Sequence, residues 1–292
     1  MQHLRLLSAA SLVSLVACVG RAVDVASATP DDKLESTAPS NTGQDAGNDS
    51  GKVASPVFPD GPGPAPTGKC SFQKDAQGFA PFAVGGIRHT VRLPTSYSES
   101  APTPTALLVV LHGCGDSALN AANWMGTPWE LRPNGIKHIV LGVGGRDGAC
   151  WGNDSNLVTA AIEALSSCVY VDRRRVVLGG YSSGGELGFR LMYERGTQFA
   201  GLLVEHSGMD QAFPNKDLTA LSKTAPWKFP VAWVAGVNDS VFPIANVRRE
   251  KDILAAAGHP LKYVETNDAH EGKSDPNWKS TLIPAMANWS TP

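Results

Sequence analysis

From about residue 86 onward, short apolar runs alternate with stretches of helical spacing, a pattern that predicts a layered α/β domain. Arg88 to Leu93 alternates polar and apolar positions as a strand with one face buried, and Pro94 ends it. Ala106 to Leu111 and His138 to Val143 are continuous apolar runs, the mark of strands covered on both faces of a mostly parallel sheet. Gly144 and Gly145 close the second of them. Val176 to Leu178, Gly201 to Val204, Val231 to Ala235 and Leu261 to Val264 read as further strands. Apolar residues recur at helical spacing over Asn156 to Leu165, Glu186 to Tyr193, Ile244 to Ala257 and Trp278 to Trp289, with Gly258 placed as a C-cap. Only a loop containing Pro214, Pro226 and Pro230 joins the strands near 204 and 231. It is too short for a cap domain, so the expected site lacks a lid and is open to bulky or polymeric substrates. No internal repeat is visible.

The N-terminus departs from this pattern. Arg5 precedes an apolar run from Leu6 to Val16 that is too short to span a bilayer, and the pair reads as an export signal. Two cleavage sites compete. Leu15-Val16-Ala17-Cys18 resembles a bacterial lipobox and would leave a lipid on Cys18, whereas Ala26-Ser27-Ala28 fits ordinary secretion. The lipobox is preferred because it abuts the apolar run. Residues 19–68 are rich in Asp, Ser, Thr, Ala, Gly and Pro without apolar period, so they are expected to be a disordered spacer. The predicted division is therefore a signal over 1–18, a linker over 19–68 and a catalytic domain over 69–292. The expected location is outside the cytoplasm, either lipid-anchored to the envelope or secreted.

The 292 residues are 42% hydrophobic, enough for a sizeable core, and the formal charge of −2 offers no basic field for nucleic acid. Membrane contact is expected only through the lipid on Cys18, and the chain is expected to be a monomer. Beyond Cys18 four cysteines remain, Cys70, Cys114, Cys150 and Cys168, without a Cys-x-x-Cys spacing. An even count in an exported chain favours two disulfides, with three possible pairings. Cys114–Cys150 with Cys70–Cys168 is the preferred one, and free buried thiols are the alternative.

Chemistry enters at Arg175-Val176-Val177-Leu178-Gly179-Gly180-Tyr181-Ser182-Ser183-Gly184-Gly185-Glu186-Leu187. An apolar strand runs into Gly-x-Ser-x-Gly and then into a helical pattern, which is the form of a nucleophile elbow. The turn is so tight that residues two before and two after the nucleophile must lack side chains. Gly180 and Gly184 meet that demand for Ser182, while Ser183 has Tyr181 at the earlier position. A Gly/Ser turn without chemistry is the alternative.

A serine hydroxyl is a weak nucleophile at neutral pH and needs a base, which in turn needs an orienting carboxylate. His270 follows the last apolar strand closely and is the expected base. His206 comes too early for the chain order Ser, acid, His, and His259 lies between a helix and a strand on the wrong side of the sheet. Asp239, just past the strand Val231 to Ala235, is the expected acid, with Asp210 and Asp268 in reserve. Val109-Val110-Leu111-His112-Gly113-Cys114-Gly115 places a His-Gly turn after a buried strand, where one oxyanion N–H is lent. The backbone of Cys114, or else Gly113, supplies it, and Ser183 supplies the second. The His112 side chain is expected to brace the loop. No metal and no organic cofactor are needed.

Leu111-His112-Gly113-Cys114, Cys150-Trp151, Val171-Asp172-Arg173-Arg174-Arg175-Val176, the elbow, and Gly236-Val237-Asn238-Asp239 together resemble the secreted polyhydroxybutyrate depolymerase, feruloyl esterase and acetyl xylan esterase branch of the α/β-hydrolases. The resemblance implies an α/β-hydrolase fold with helices on both faces of the sheet. It places the triad on Ser182, Asp239 and His270 and the oxyanion donors on Cys114 and Ser183. Trp151 is the expected substrate-contacting aromatic, while core packing is preferred for Trp124, Trp129 and Trp227.

The leading expectation is hydrolysis of a carboxylic ester, of polyester or acylated polysaccharide type, through an acyl-Ser182 intermediate. An envelope acyltransferase using the same three residues and a non-catalytic surface binding protein on the same scaffold are the competing readings.

Overall fold

The computed structural model describes residues 55–126, 137–145, 149–271, 282 and 284–292. The signal at 1–18, both cleavage sites, the linker up to residue 54 and Trp129 lie outside them.

Eight strands form one sheet in the order β1-β2-β4-β3-β5-β6-β7-β8. β1 (Phe79–Val84) and β2 (Ile87–Arg92) form an antiparallel hairpin at one edge. Its two-residue turn is Gly85-Gly86, with φ of 57° and 80°, the left-handed pair that a tight hairpin requires. β3 (Thr105–Leu111), β4 (Ile139–Val143), β5 (Val171–Tyr181), β6 (Gly201–Glu205), β7 (Val231–Gly236) and β8 (Leu261–Thr266) are mutually parallel. The centre of the sheet is the apolar run foreseen from the sequence: Leu107 to Leu111 are fully buried. Each such side chain contributes roughly 1.5–3 kcal/mol by leaving water.

The helices cover both faces. Four residues (Ala118–Ala121) form α1, capped by the Ser117 side chain, and run into a π-helical turn over Ala122–Gly126. α2 (Ser155–Ser166), α3 (Ser183–Arg195) and, after two short helices α4 (Met209–Ala212) and α5 (Leu218–Lys223), α6 (Ile244–Ala256) follow. Val158, Leu187, Phe189 and Leu254 bring α2, α3 and α6 into one apolar cluster with Leu107, Val109 and Trp233. The opposite face buries Leu108, Val110 and Val177 against Ala122, Met125, Leu282 and Met286. The helix expected over Trp278–Trp289 falls partly outside the described residues, but Leu282 and 284–286 are helical.

Composition places the domain boundary near Lys69, and described residues just before it already touch the α/β domain. Phe58 packs edge-on against Trp227, with ring centroids 6.0 Å apart. Arg173 N donates to Pro62 O at 3.0 Å, Tyr170 Oη to Gly63 O at 3.2 Å and Gly68 N to Ser167 O at 2.9 Å. A Pro/Gly stretch with no apolar period hides such contacts, because most of them run through its backbone. The disulfides are Cys70–Cys168, which staples this segment to the turn after α2, and Cys114–Cys150. That is the preferred pairing. No helix of the described residues is long and apolar enough to cross a membrane.

Candidate active site

β5 ends at Tyr181, and the chain reverses into α3 through Ser182, whose backbone sits at φ 53°, ψ −125°. For a residue with a side chain this is strained, at a cost of about 1–3 kcal/mol. Glycine geometry explains why only this serine fits. A Cβ on Gly180 would lie 2.3 Å from Gly184 O, and one on Gly184 would lie 2.2 Å from Leu111 O. The elbow therefore presses directly on the end of β3. Ser182 N donates to Glu205 O at 3.0 Å, and Ser182 O accepts from Gly185 N at 2.8 Å, so backbone bonds hold the turn from both sides.

Three side chains from widely separated segments meet at this turn. His270 Nε2 lies 3.0 Å from Ser182 Oγ, and His270 Nδ1 lies 2.9 Å from Asp239 Oδ2. Tyr181 stacks on one side of the imidazole (5.4 Å between centroids, 28°) and donates its hydroxyl to His270 O at 2.6 Å. Phe242 packs against the same ring at 5.5 Å. Burial, then the nearby carboxylates of Glu205, Glu271, Asp239 and Asp116, raise the Tyr181 pKa, so its hydroxyl stays protonated and remains a donor.

Asp239 follows β7. Its Oδ1 accepts from Val241 N at 2.8 Å and Phe242 N at 2.9 Å, while its Oδ2 faces His270 and, at 3.3 Å, His206 Nδ1. Burial by itself would push this carboxyl up. The hydrogen bonds from His206, His270 and Phe242 outweigh it and hold the group well below the usual carboxylate range.

The turn after β3 completes the surroundings. A Cβ on Gly113 would meet the Tyr181 ring at 2.7 Å and Ser182 Cβ at 3.4 Å, so this turn packs on the elbow. Gly145 N donates to His112 Nε2 at 3.2 Å, and a proton on His112 Nδ1 then serves Gly113 O at 2.7 Å. His112 thus braces the turn from behind. Cys114 is tied to Cys150 by the disulfide. Ser183 opens α3, where a first-turn N–H has no intrahelical partner.

Trp151, the expected substrate-contacting aromatic, sits behind the turn after β3. It is buried, its indole Nε1 donates to His112 O at 2.7 Å, and its ring packs 4.7 Å from the His112 ring. It supports the turn through these contacts. The Cys-Trp pair marked the neighbourhood but not the direction of the side chain. Trp124 packs against the second apolar cluster as expected, and it also lines a cavity of about 430 Å³ together with Gly113, Asp116, Met125, Tyr181 and Glu271. Its Nε1 donates to the buried Glu205 at 2.7 Å. A second cavity of about 520 Å³ shares His112 and Asp116 with the first. Trp227 packs as expected, its indole donating to Gly196 O.

Of the reserve acids, Asp210 pairs with Arg249, while Asp268 is buried beside the turn that carries Asp239, where its backbone oxygen accepts from Asn238 N at 3.0 Å. His259 bonds to Phe229 O at 3.0 Å, away from the site. Sequence reasoning missed the contact of His206 with Asp239 and the flanking of His270 by Tyr181 and Phe242. Among the described residues no group of three or more His, Cys, Asp or Glu is arranged to hold a metal ion.

No protein-family model matches the sequence, and no curated protein matches it. Solved structures match by shape. Fluorophosphonate-binding serine hydrolase F of Staphylococcus aureus is 13% identical with a TM-score of 0.57, covering 72% of this chain and 97% of its own. A ferulic acid esterase from Anaeromyces mucronatus, solved with ferulic acid, is 12% identical with a TM-score of 0.54, covering 72% and 89%. Esterase 2 of Thermogutta terrifontis is 15% identical with a TM-score of 0.51, covering 74% and 95%. At such identities the likeness is one of architecture, and with the parallel sheet and its helical layers it establishes that this chain has the α/β-hydrolase fold.

Proposed function

We propose that the protein is an exported serine esterase that cleaves carboxylic esters through an acyl-Ser182 intermediate. The carrying observation is the continuous relay from Ser182 Oγ through the His270 ring to Asp239 Oδ2, at 3.0 and 2.9 Å. In the first half-reaction His270 Nε2 takes the serine proton as Oγ attacks the ester carbonyl. The negative charge that develops on the carbonyl oxygen is met by the backbone N–H groups of Cys114 and Ser183. One such donor lowers a barrier by roughly 3 kcal/mol. His270 then gives its proton to the leaving alcohol, which departs as the tetrahedral intermediate collapses to the acyl-enzyme. Water, deprotonated by the same imidazole, attacks the acyl carbon and releases the acid and free Ser182. Asp239 keeps the Nδ1 proton in place and balances the imidazolium charge throughout.

The cavity beside Gly113 and Tyr181, about 430 Å³, supports an acyl group larger than acetyl, and a second cavity of about 520 Å³ that shares His112 and Asp116 with it supports an extended polyester or acylated polysaccharide. The disulfides and the apolar run behind Arg5 support export, and the lipobox at Cys18 supports an envelope anchor. The test is turnover of p-nitrophenyl butyrate by the full chain and by Ser182→Ala. The variant is expected to lose roughly 10⁴-fold or more in kcat/KM with its thermal midpoint unchanged. Equal turnover by the two proteins refutes the reading.

A further inference from the structure

The relay accounts for one imidazole at Asp239 and leaves a second unexplained. His206 follows β6, its ring is fully buried, and its Nδ1 lies 3.3 Å from the carboxylate oxygen that His270 uses. Ordinary packing accounts poorly for a histidine here. Its backbone has φ 46°, in the left-handed region, although it carries a Cβ. The ring fits only because residue 236 is glycine: a Cβ there would lie 2.7 Å from His206 Cε1 and 2.9 Å from Nδ1. Its Nε2 is buried with no hydrogen-bond partner among the described residues, a cost that an apolar side chain of similar size would avoid. Among the described residues the ring makes one polar contact, to Asp239.

The geometry points to His206 as a positioning residue of the reaction, whose Nδ1–H holds Asp239 ionised and aimed at His270. The inference rests on the serine-esterase reading. Two backbone amides on Oδ1 and two ring N–H groups on Oδ2 occupy the carboxylate's acceptor capacity. A carboxylate so bound neither rotates away from His270 nor takes its proton when the imidazolium forms. No proton passes through His206. It donates one hydrogen bond and keeps its tautomer, with Nε2 as the bare nitrogen. Loss of the donor leaves substrate binding intact and slows the steps in which His270 is charged, so its signature is in kcat and not in KM.

The test compares His206→Leu, which removes the donor, with His206→Asn, whose side-chain amide places an N–H near the position of Nδ1. On p-nitrophenyl butyrate the leucine variant is expected to lose about 10- to 100-fold in kcat with KM within about twofold, and the asparagine variant to recover most of it. In an Asp239→Asn background, His206→Leu is expected to cost nothing further, because the residue acts through that carboxylate. Unchanged kcat in His206→Leu, equal losses for leucine and asparagine, or losses that add across the two backgrounds overturn the proposal. Should the leucine variant fail to fold, the ¹H–¹⁵N spectrum of the wild-type chain decides. Two far-downfield ring N–H resonances, both displaced by Asp239→Asn, support the shared oxygen, and a single one overturns it. A wild-type chain that matches Ser182→Ala in turnover sinks the esterase reading itself, an outcome distinct from all of these.

Discussion

The ends of β5 and β6 are neighbours in the sheet, and each turns through a non-glycine residue in the left-handed region, Ser182 at φ 53° and His206 at φ 46°. In both cases the backbone aims a side chain at the relay, and in both a glycine makes the room. The difference lies in where that glycine sits. Gly180 and Gly184 flank Ser182 in the sequence, whereas Gly236, which admits the His206 ring, comes from the end of β7. Strain at a strand end is readable in a sequence when its relief is local. When the relief comes from another strand, only the folded sheet reveals it.

Glycine substitutions test this comparison most severely. In Gly184→Ala the new Cβ meets the Leu111 carbonyl at 2.2 Å and the His112 carbonyl at 2.6 Å, both backbone atoms that cannot swing aside. The elbow must lift from the β3 turn, and we expect a loss of about 3 kcal/mol in stability with esterase activity at background, measured by chemical denaturation and turnover. In Gly236→Ala the new Cβ meets the Asp268 carbonyl at 2.5 Å and the His206 ring. Here the expected losses are about 2 kcal/mol and roughly tenfold in kcat, the latter matching His206→Leu. A Gly236→Ala protein that is destabilised but keeps full kcat per folded molecule breaks the parallel between the two strand ends.

A gentler probe uses the buried carboxylates on either side of His206, which shift in opposite directions. Glu250 on α6 accepts from Met209 N at 2.6 Å and Asp210 N at 3.2 Å, fixing the loop that carries His206 into α4. Burial, aided by the nearby Asp210, pushes its carboxyl from 4.5 up to about 7. The folded state therefore binds the proton more tightly than the unfolded chain. The associated stability is present below about pH 4.5 and is lost as pH rises through about 7, by at most about 3 kcal/mol. Asp239 is shifted the other way, so its contribution is present above its ordinary value of 3.8 and is lost as pH falls below it. Denaturation midpoints across pH should decline on both sides, and Glu250→Gln should flatten the upper limb alone. An unaltered upper limb in that variant would assign the decline to another group.

Much of the fold and the meeting of three side chains at the candidate site were legible in the chain. The apolar runs at Ala106 to Leu111 and Val231 to Ala235 appear as β3 and β7, because a strand covered on both faces has nowhere to put polar residues. Chain order and proximity to strand ends sufficed to bring Ser182, Asp239 and His270 together. β1 escaped notice because Pro81 interrupts its pattern, as an edge strand tolerates, although Gly85-Gly86 already carried the hairpin signal. β5 begins at Val171 and not Val176, since Arg173, Arg174 and Arg175 turn outward to Glu163, Thr291 and Ala287. Trp151 shows the limit most clearly. A tryptophan near the site is equally suited to contact substrate or to support a turn, and only its indole bond to His112 O distinguishes the two. His206 was set aside as a base for being too early in the chain, a sound criterion for a base that says nothing about a second donor to the acid.

Peptide mapping of the full chain after reaction with a fluorophosphonate probe tests the central claim most directly. A covalent adduct on the peptide carrying Ser182, absent from Ser182→Ala and formed far more slowly by His270→Ala, is the predicted result. Adduct on another residue, or equal labelling of the wild type and Ser182→Ala, would contradict it.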